Sequence, residues 1–246
     1  MQCLIDADVL AYRFASAAEE ETEWHDGIWT LHANLNEAVA NLDSFIEEVK
    51  ENVEADDVRL FLSHSTNFRK LVWPEYKANR SSKRKPILLK ELRRHMLQNW
   101  GAEERTGVEA DDLLGLAGYK RTDRIICTID KDLRTVEGMH FNWDRAEEGI
   151  LKVNTKAAAT QFYTQVLTGD AVDHFPGLPG CGPKTASKLL EDCKSVKDMW
   201  KRVIDAYSKK GLNPEDALTQ ARCAYILKRK SDFKNGSVQL WNPPKI

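Results

Sequence analysis

Residues 108–133, VEADDLLGLAGYKRTDRIICTIDKDL, place Glu109, Asp111 and Asp112 where an apolar helix (Leu113, Leu114, Leu116, Ala117) should begin. Asp130 and Asp132 directly follow the run Ile125–Ile129, whose β-branched content reads as a buried parallel strand. With that strand and helix packed as neighbours, these five acids meet at one end of a sheet. Like charges at such distances repel and raise one another's pKa unless a multivalent cation lies among them. The stretch therefore predicts an α/β sheet with a metal site at its rim. Taken singly, Glu109 and Asp111 are equally well explained as acids favoured at a helix N-terminus. Taken together, the acids at strand ends and helix starts point to a cation.

The chain has 246 residues, 42% of them hydrophobic, enough for one large domain or a domain with a small appendage. Its formal net charge of −2 hides segregation. Arg69, Lys70, Lys77, Arg80, Lys83, Arg84, Lys85, Lys90, Arg93 and Arg94 fall in one run against Glu75 and Glu91. Such a run suits a surface that grips a polyanion, although a basic run is also an ordinary solvated face. The five cysteines are never spaced C-x-x-C, so neither a disulfide framework nor a zinc site is expected, and the reducing cytoplasm of a bacterial or phage-infected cell fits best. No signal sequence is read at MQCLIDADVL, and no apolar run approaches the ~20 residues of a membrane span, so no membrane partner is expected.

Along the chain, QCLID (2–6) reads as a first strand ending in Asp6, with Asp8 two positions on, at the rim where open α/β sheets bind ligands. Asn34–Asn52 has helical periodicity, and Val58–Leu62 is a second strand ending at Ser63. The basic segment mixes Phe68, Trp73 and Tyr76 with cations, a texture suited to stacking bases, or to a pair of surface helices with aromatics in the core. Pro86 opens a helix to Trp100. Residues 139–143 and 149–153 read as a strand pair, and 155–167, 196–207 and 214–227 as helices. The tail to Ile246 reads as a packed extension. Gly180-x-Gly182-x-Lys184 sits in a tight turn before a helix near Pro183, where backbone N–H groups and a lysine can hold a phosphate. The six histidines are expected at the surface or satisfied in the core.

The order Asp6, FRKLVWPEYKANR, EADD, TIDKDL and GDAVDHFPGLPGCGPKTA resembles the 5′-nuclease (flap endonuclease) superfamily over residues 2–190, most nearly the 5′→3′ exonucleases of tailed bacteriophages and the 5′-nuclease domain of bacterial DNA polymerase I. The resemblance implies a PIN-like α/β fold: a mostly parallel central sheet flanked by helices in residues 1–168, a helical arch over about 68–100, and a helix–turn–helix DNA clamp with C-terminal helices in 169–246. It implies two divalent ions, Mg²⁺ or Mn²⁺, with Asp6, Glu109, Asp111 and Asp130 in one group and Asp132, Asp170 and Asp173 in the other. Asp112 matches an extra acid of the bacterial and phage branch. Lys77 and Arg80, with Asp130 and Asp132, are the catalytic set. Arg69, Tyr76, Lys77, Arg80, Lys83 and Arg84, together with Gly180, Gly182, Lys184 and Thr185, form the DNA-binding set, with K⁺ at the clamp turn. The partner implied is DNA with 5′ ends, flaps, nicks or branches, cut to 5′-phosphate products and gripped in a salt-sensitive way.

One departure is Leu62-Ser63, where many members of that superfamily end the second strand in aspartate; a water held by Ser63 is one replacement. Two rivals remain. A haloacid-dehalogenase-like phosphatase would use Asp6 as nucleophile and Asp8 as acid/base, but has no need of the GxGxK turn, the basic segment or EADD. A catalytically silent relative would only bind branched DNA. In the nuclease reading Asp8 is expected to support or cap its neighbours.

Overall fold

A computed structural model describes residues 1–245. Its elements are β1 (Gln2–Asp6), α1 (Ala7–Ala17), β2 (Glu19–Glu23), β3 (Trp29–Ala33), α2 (Leu35–Asn52), β4 (Asp57–Ser63), α3 (Arg69–Val72), α4 (Leu89–Asn99), β5 (Glu103–Arg105), α5 (Ala110–Gly118), β6 (Arg124–Cys127), β7 (Gly138–Phe141), β8 (Leu151–Val153), α6 (Thr155–Thr168), α7 (Pro183–Leu190), α8 (Val196–Ser208), α9 (Pro214–Ala224), β9 (Phe233–Lys234) and β10 (Ser237–Val238).

The apolar run of β1 takes the centre of a six-stranded sheet of order β5-β4-β1-β6-β7-β8. Every pairing is parallel except that of β8 with β7. Strand residues are buried on both faces, as a parallel sheet covered by helices requires. Cys3, Ile5, Leu60, Leu62, Ile125 and Cys127 pack with Leu10, Leu42, Ile46, Leu92 and Met96 from α1, α2 and α4. Leu4, Phe61 and Ile126 face the other way, toward Leu114 of α5 and Phe162, Tyr163 and Val166 of α6. This second core does not stop at residue 168, because Trp200, Tyr207, Ala221 and Leu227 belong to the same cluster. The C-terminal helices are thus packed on the sheet layer. Because β4 lies on one side of β1 and β6 on the other, the strand order reverses at β1, and its carboxyl end opens a crevice.

Two sequence expectations change here, and one element appears that the sequence did not announce. Residues 68–88 do not form a helical arch: the four-residue α3 is followed by turns and a single 3₁₀ turn, Ala78–Arg80. Pro74 lies within it and Lys77 adopts the left-handed region (φ 56°), both of which interrupt a helix. The helix expected from Pro86 starts at Leu89, since Pro86–Leu88 make a turn closed by the Leu89 amide on the Pro86 carbonyl. Finally, an antiparallel hairpin, β2–β3, stands apart from the main sheet. Its strand EEETE has no apolar alternation and announces nothing. Phe233–Val238 adds a small β9–β10 pair within the tail, whose last residue, Ile246, lies outside the described residues.

Candidate active site

The sheet's carboxyl rim collects acids from four places. Asp6, at the end of β1, caps α1 by accepting from the Val9 amide at 3.4 Å, and its other oxygen accepts from Thr128 Oγ1 at 3.0 Å. Glu109 sits at the N-cap of α5, and Asp111 in its first turn. Asp130 caps the 3₁₀ turn after β6, accepting from the Asp132 amide at 2.8 Å. Asp170 accepts from the amides of Val172 (2.7 Å) and Asp173 (2.9 Å), which folds the loop before α7. A cleft of about 990 Å³ is lined by Asp6, Asp8, Glu109, Asp111, Asp130, Asp132 and Asp173, with Lys77 and Arg80 on the same wall. Asp170 shapes the loop behind Asp173 and is not among the lining residues.

The electrostatics are those of an under-neutralised cluster. Burial, then Asp8 and Asp130, raise Asp6 to about 7. Burial, then Asp130 and Asp170, raise Asp132 to about 7 as well, and its Oδ1 is buried without a partner among the described residues. Asp111 is pushed well above the carboxylate range by burial and the charges of Asp6 and Asp130, and Asp130 is raised by burial. Glu109 behaves oppositely. Burial pushes it up, but the charges of Lys77 and Arg69 outweigh that and hold it at about 2. Lys77 Nζ is ion-paired with Glu109 and lies 3.5 Å from Asp173, while Arg80 is 2.6 Å from Asp173.

Among the described residues, no three His, Cys, Asp or Glu side chains converge as a ready metal cage. The donor set nevertheless fits hard divalent ions: it is all oxygen, it is over-charged, and Asp132 offers an orphaned buried acceptor. The ammonium of Lys77 lies among the acids and neutralises part of the cluster.

Several expected site residues do other work. Asp112 is fully buried and does not line the cleft. Its oxygens accept from Arg69 Nη1 and Nη2 (both 2.8 Å), from the Glu109 amide (3.0 Å) and from the Leu227 amide (3.1 Å), which leaves it the counter-ion of a buried arginine. Arg69, expected on DNA, is 2% exposed and also donates to the carbonyls of Cys223 and Tyr225. Tyr76, 2% exposed, cannot stack on bases; its hydroxyl lies 2.7 Å from Asp173 and 3.1 Å from Glu109. Arg84 is exposed but folded onto Glu19 of the β2–β3 hairpin. Lys83 is exposed, as are Lys184 and Thr185 at the start of α7, beside Gly182 at its N-cap and Gly180 (φ 75°) in the turn.

The Ser63 hydroxyl accepts from the Ala110 amide at 2.9 Å and so caps α5. Asp8 accepts from the Ser63 amide at 2.8 Å and is ion-paired with Arg93, which also donates to the Ser63 carbonyl at 2.6 Å. Asp8 is therefore a bridge between α1, β4 and α4, and the free acid/base that a phosphatase needs is not there. Sequence reasoning placed Arg93 only in the basic run and gave Thr128 no role; their partners lie 85 and 122 positions away.

The Asp170 loop depends on two glycines in close approach. Gly169 and Gly177 both have positive φ, and a Cβ on Gly177 would stand 2.1 Å from the Gly169 nitrogen. Gly177→Ala is expected to lower stability by at least about 1–3 kcal/mol, through strain and clash together, read as a fall in the denaturant midpoint.

The family model for the 5′-3′ exonuclease N-terminal, resolvase-like domain matches residues 1–170, and the chain belongs to that family. It is similar to the exonuclease of Escherichia phage T7, 26% identical over 98% of this chain and 93% of that protein. It is likewise similar to the flap endonuclease Xni of Shewanella halifaxensis, 26% identical over 91% of this chain and 90% of its relative. In fold it resembles the flap endonuclease of bacteriophage T5, solved with DNA and metal ions, with a TM-score of 0.69 at 15% identity over 92% of this chain and 89% of the other. No helix among the described residues is long and apolar enough to cross a membrane.

Proposed function

We propose that the chain is a metal-dependent, structure-specific 5′→3′ exonuclease or flap endonuclease that hydrolyses DNA phosphodiesters to 5′-phosphate products. The observation that carries this is the acidic cleft at the rim of β1 and β6, walled by Lys77 and Arg80. The relatives are named as exonucleases and flap endonucleases, which supports the same reading.

Asp6, Glu109, Asp111 and Asp130 would hold one ion, and Asp132 and Asp173, shaped by Asp170, the other. Mg²⁺ or Mn²⁺ suits these oxygen donors. Two such ions would supply charge neutralisation at the scissile phosphate and ease loss of a proton from the attacking water. Lys77 and Arg80 exchange their carboxylate partners for phosphate oxygens and stabilise the charge that develops there. The water oxygen bonds to phosphorus as the P–O3′ bond breaks, one water proton passes to solvent through the open cleft, and the 3′-oxygen takes one up. Lys184, Thr185 and the amides at the start of α7 hold duplex phosphates away from the cleft, with K⁺ at the Gly180–Gly182 turn; Lys83 adds charge along the incoming strand.

A fluorescent 5′-flap duplex incubated with Mg²⁺ or Mn²⁺, against an EDTA control, tests this directly. Cleavage to 5′-phosphorylated fragments is expected in the metal-containing arms alone. Tight binding without cleavage would instead identify a silent DNA-binding relative.

A further inference from the structure

The segment Trp73–Arg80 and the loop Asp170–Phe175 are joined along their length. Trp73 Nε1 donates to the His174 carbonyl at 3.0 Å, and the Lys77 amide to the Asp173 carbonyl at 2.9 Å. His174 Nδ1 lies 3.0 Å from the Glu75 carbonyl. Asn79 Nδ2 donates to the carbonyls of Ala171 (3.1 Å) and Val172 (3.4 Å). Tyr76, Lys77 and Arg80 reach the Asp173 carboxylate itself and belong to the cleft already described. Trp73 and Asn79 grip the loop's backbone.

Asn79 is unusual within this strap. Two carbonyl oxygens facing its Nδ2 fix the orientation of the amide, so its Oδ1 points away into a buried position where no donor among the described residues meets it. A buried acceptor without a donor works against folding. Its favourable contribution is the grip on the loop. That grip falls at Ala171 and Val172, both exposed on their outer side, in a loop entered and left through left-handed glycines at 169 and 177.

We propose, on the two-ion nuclease reading given above, that Asn79 is a positioning residue which, seconded by Trp73, holds the Asp170–Phe175 loop to the basic segment and keeps Asp173 turned to the cleft. Because Lys77 and Arg80 ride on the same strap, movement of these cations toward a phosphate carries the loop with them. Engagement of DNA and the geometry of the second ion site are thereby one motion.

Asn79→Ala and the more space-filling Asn79→Leu, with Trp73→Phe as a second cut in the strap, test this in the full chain. In the metal-free protein, amides of residues 171–175 are expected to exchange hydrogen about tenfold faster, the change that follows loss of roughly one net hydrogen bond, while amides of β1 and β6 are unchanged. In Mn²⁺ titrations without DNA, the weaker of two ions should lose affinity about tenfold and the tighter one less than about twofold. With flap DNA, kcat should fall while KM stays within about twofold. Unchanged exchange at 171–175 would overturn the positioning role, and so would faster exchange throughout the chain, which marks a merely structural residue. A wild type that takes up no second Mn²⁺ overturns the underlying reading; a wild type that binds two, beside an Asn79→Ala chain that binds both as tightly, overturns this inference alone.

Discussion

Asp130→Asn is expected to lower metal-dependent cleavage about 10³-fold while raising the melting temperature of the metal-free chain. The two effects share one cause. Asp130 stands between the two groups of acids and raises the pKa of Asp6, Asp111 and Asp132. Removing its charge relieves that repulsion, and the amide oxygen can still accept from the Asp132 amide. The same charge is needed to hold divalent ions, whose stabilisation of the developing phosphate charge amounts to several kcal/mol, or about three decades in rate. A nuclease assay with excess Mg²⁺, run beside calorimetry in EDTA, reads both. Undiminished cleavage would remove Asp130 from the site.

The pH dependence of the metal-free fold follows from the same acids. Asp6 and Asp132 stand near 7 in the folded chain against 3.8 in the unfolded one. Between those values the folded state binds more protons, so the stability these two contribute is complete below 3.8 and is lost as pH rises through about 7. Glu109 runs the other way: held at about 2 against 4.5, it contributes above 4.5 and loses that contribution as pH falls through about 2. The unfolding free energy in EDTA is thus expected to be highest near pH 4 to 5 and to fall toward pH 8 by a few kcal/mol, a slope that saturating Mg²⁺ should flatten.

Arg69→Ala is expected to destabilise the fold by about 3–5 kcal/mol, the cost of leaving a buried carboxylate without its partner. Arg69 is bonded on all sides, to Asp112, Glu109 and two main-chain carbonyls, and its guanidinium lies over the Phe68 ring at 4.6 Å. Deleting it leaves Asp112 with no charge partner in a place that water does not reach. Replacing both members, as Arg69→Met with Asp112→Leu, should cost less than the sum of the single changes, because no charge is then stranded. Urea denaturation of the four chains gives the coupling directly. A loss confined to DNA affinity, with no change in midpoint, would return Arg69 to the DNA-binding surface.

What was legible in the sequence was what neighbours in the chain determine. A β-branched run followed by Asp130 reads as a buried strand with acid at its end, and the apolar period of Asn34–Asn52 reads as a helix; both hold in the structure, where Asn34 proves to be the cap. The positions that misled are those whose meaning is set by residues far away. FRKLVWPEYK has the composition of a nucleic-acid surface, yet Arg69 and Tyr76 turn inward because Asp112, Glu109 and the carbonyls at the end of α9 wait for them. EADD supplies three like-looking acids, and only the tertiary fold turns Asp112 to Arg69 and leaves Asp111 on the cleft. Ser63 lacks a carboxylate, and it is the approach of α5 that gives its hydroxyl an amide to hold.

The central place of β1 also governs how the chain must assemble as it is made. Its partner on one side, β4, ends at Ser63, whereas the strand that closes the other side, β6, begins at Arg124. At roughly 5–20 residues per second of synthesis, β1 spends about 3 to 12 s with an apolar edge unpaired. Such an edge is a template for pairing with another chain. The strand that ends at Asp6 is thus the nascent protein's main point of exposure to misassembly, and a sheet centre this late to close favours folding after residue 127 has left the ribosome.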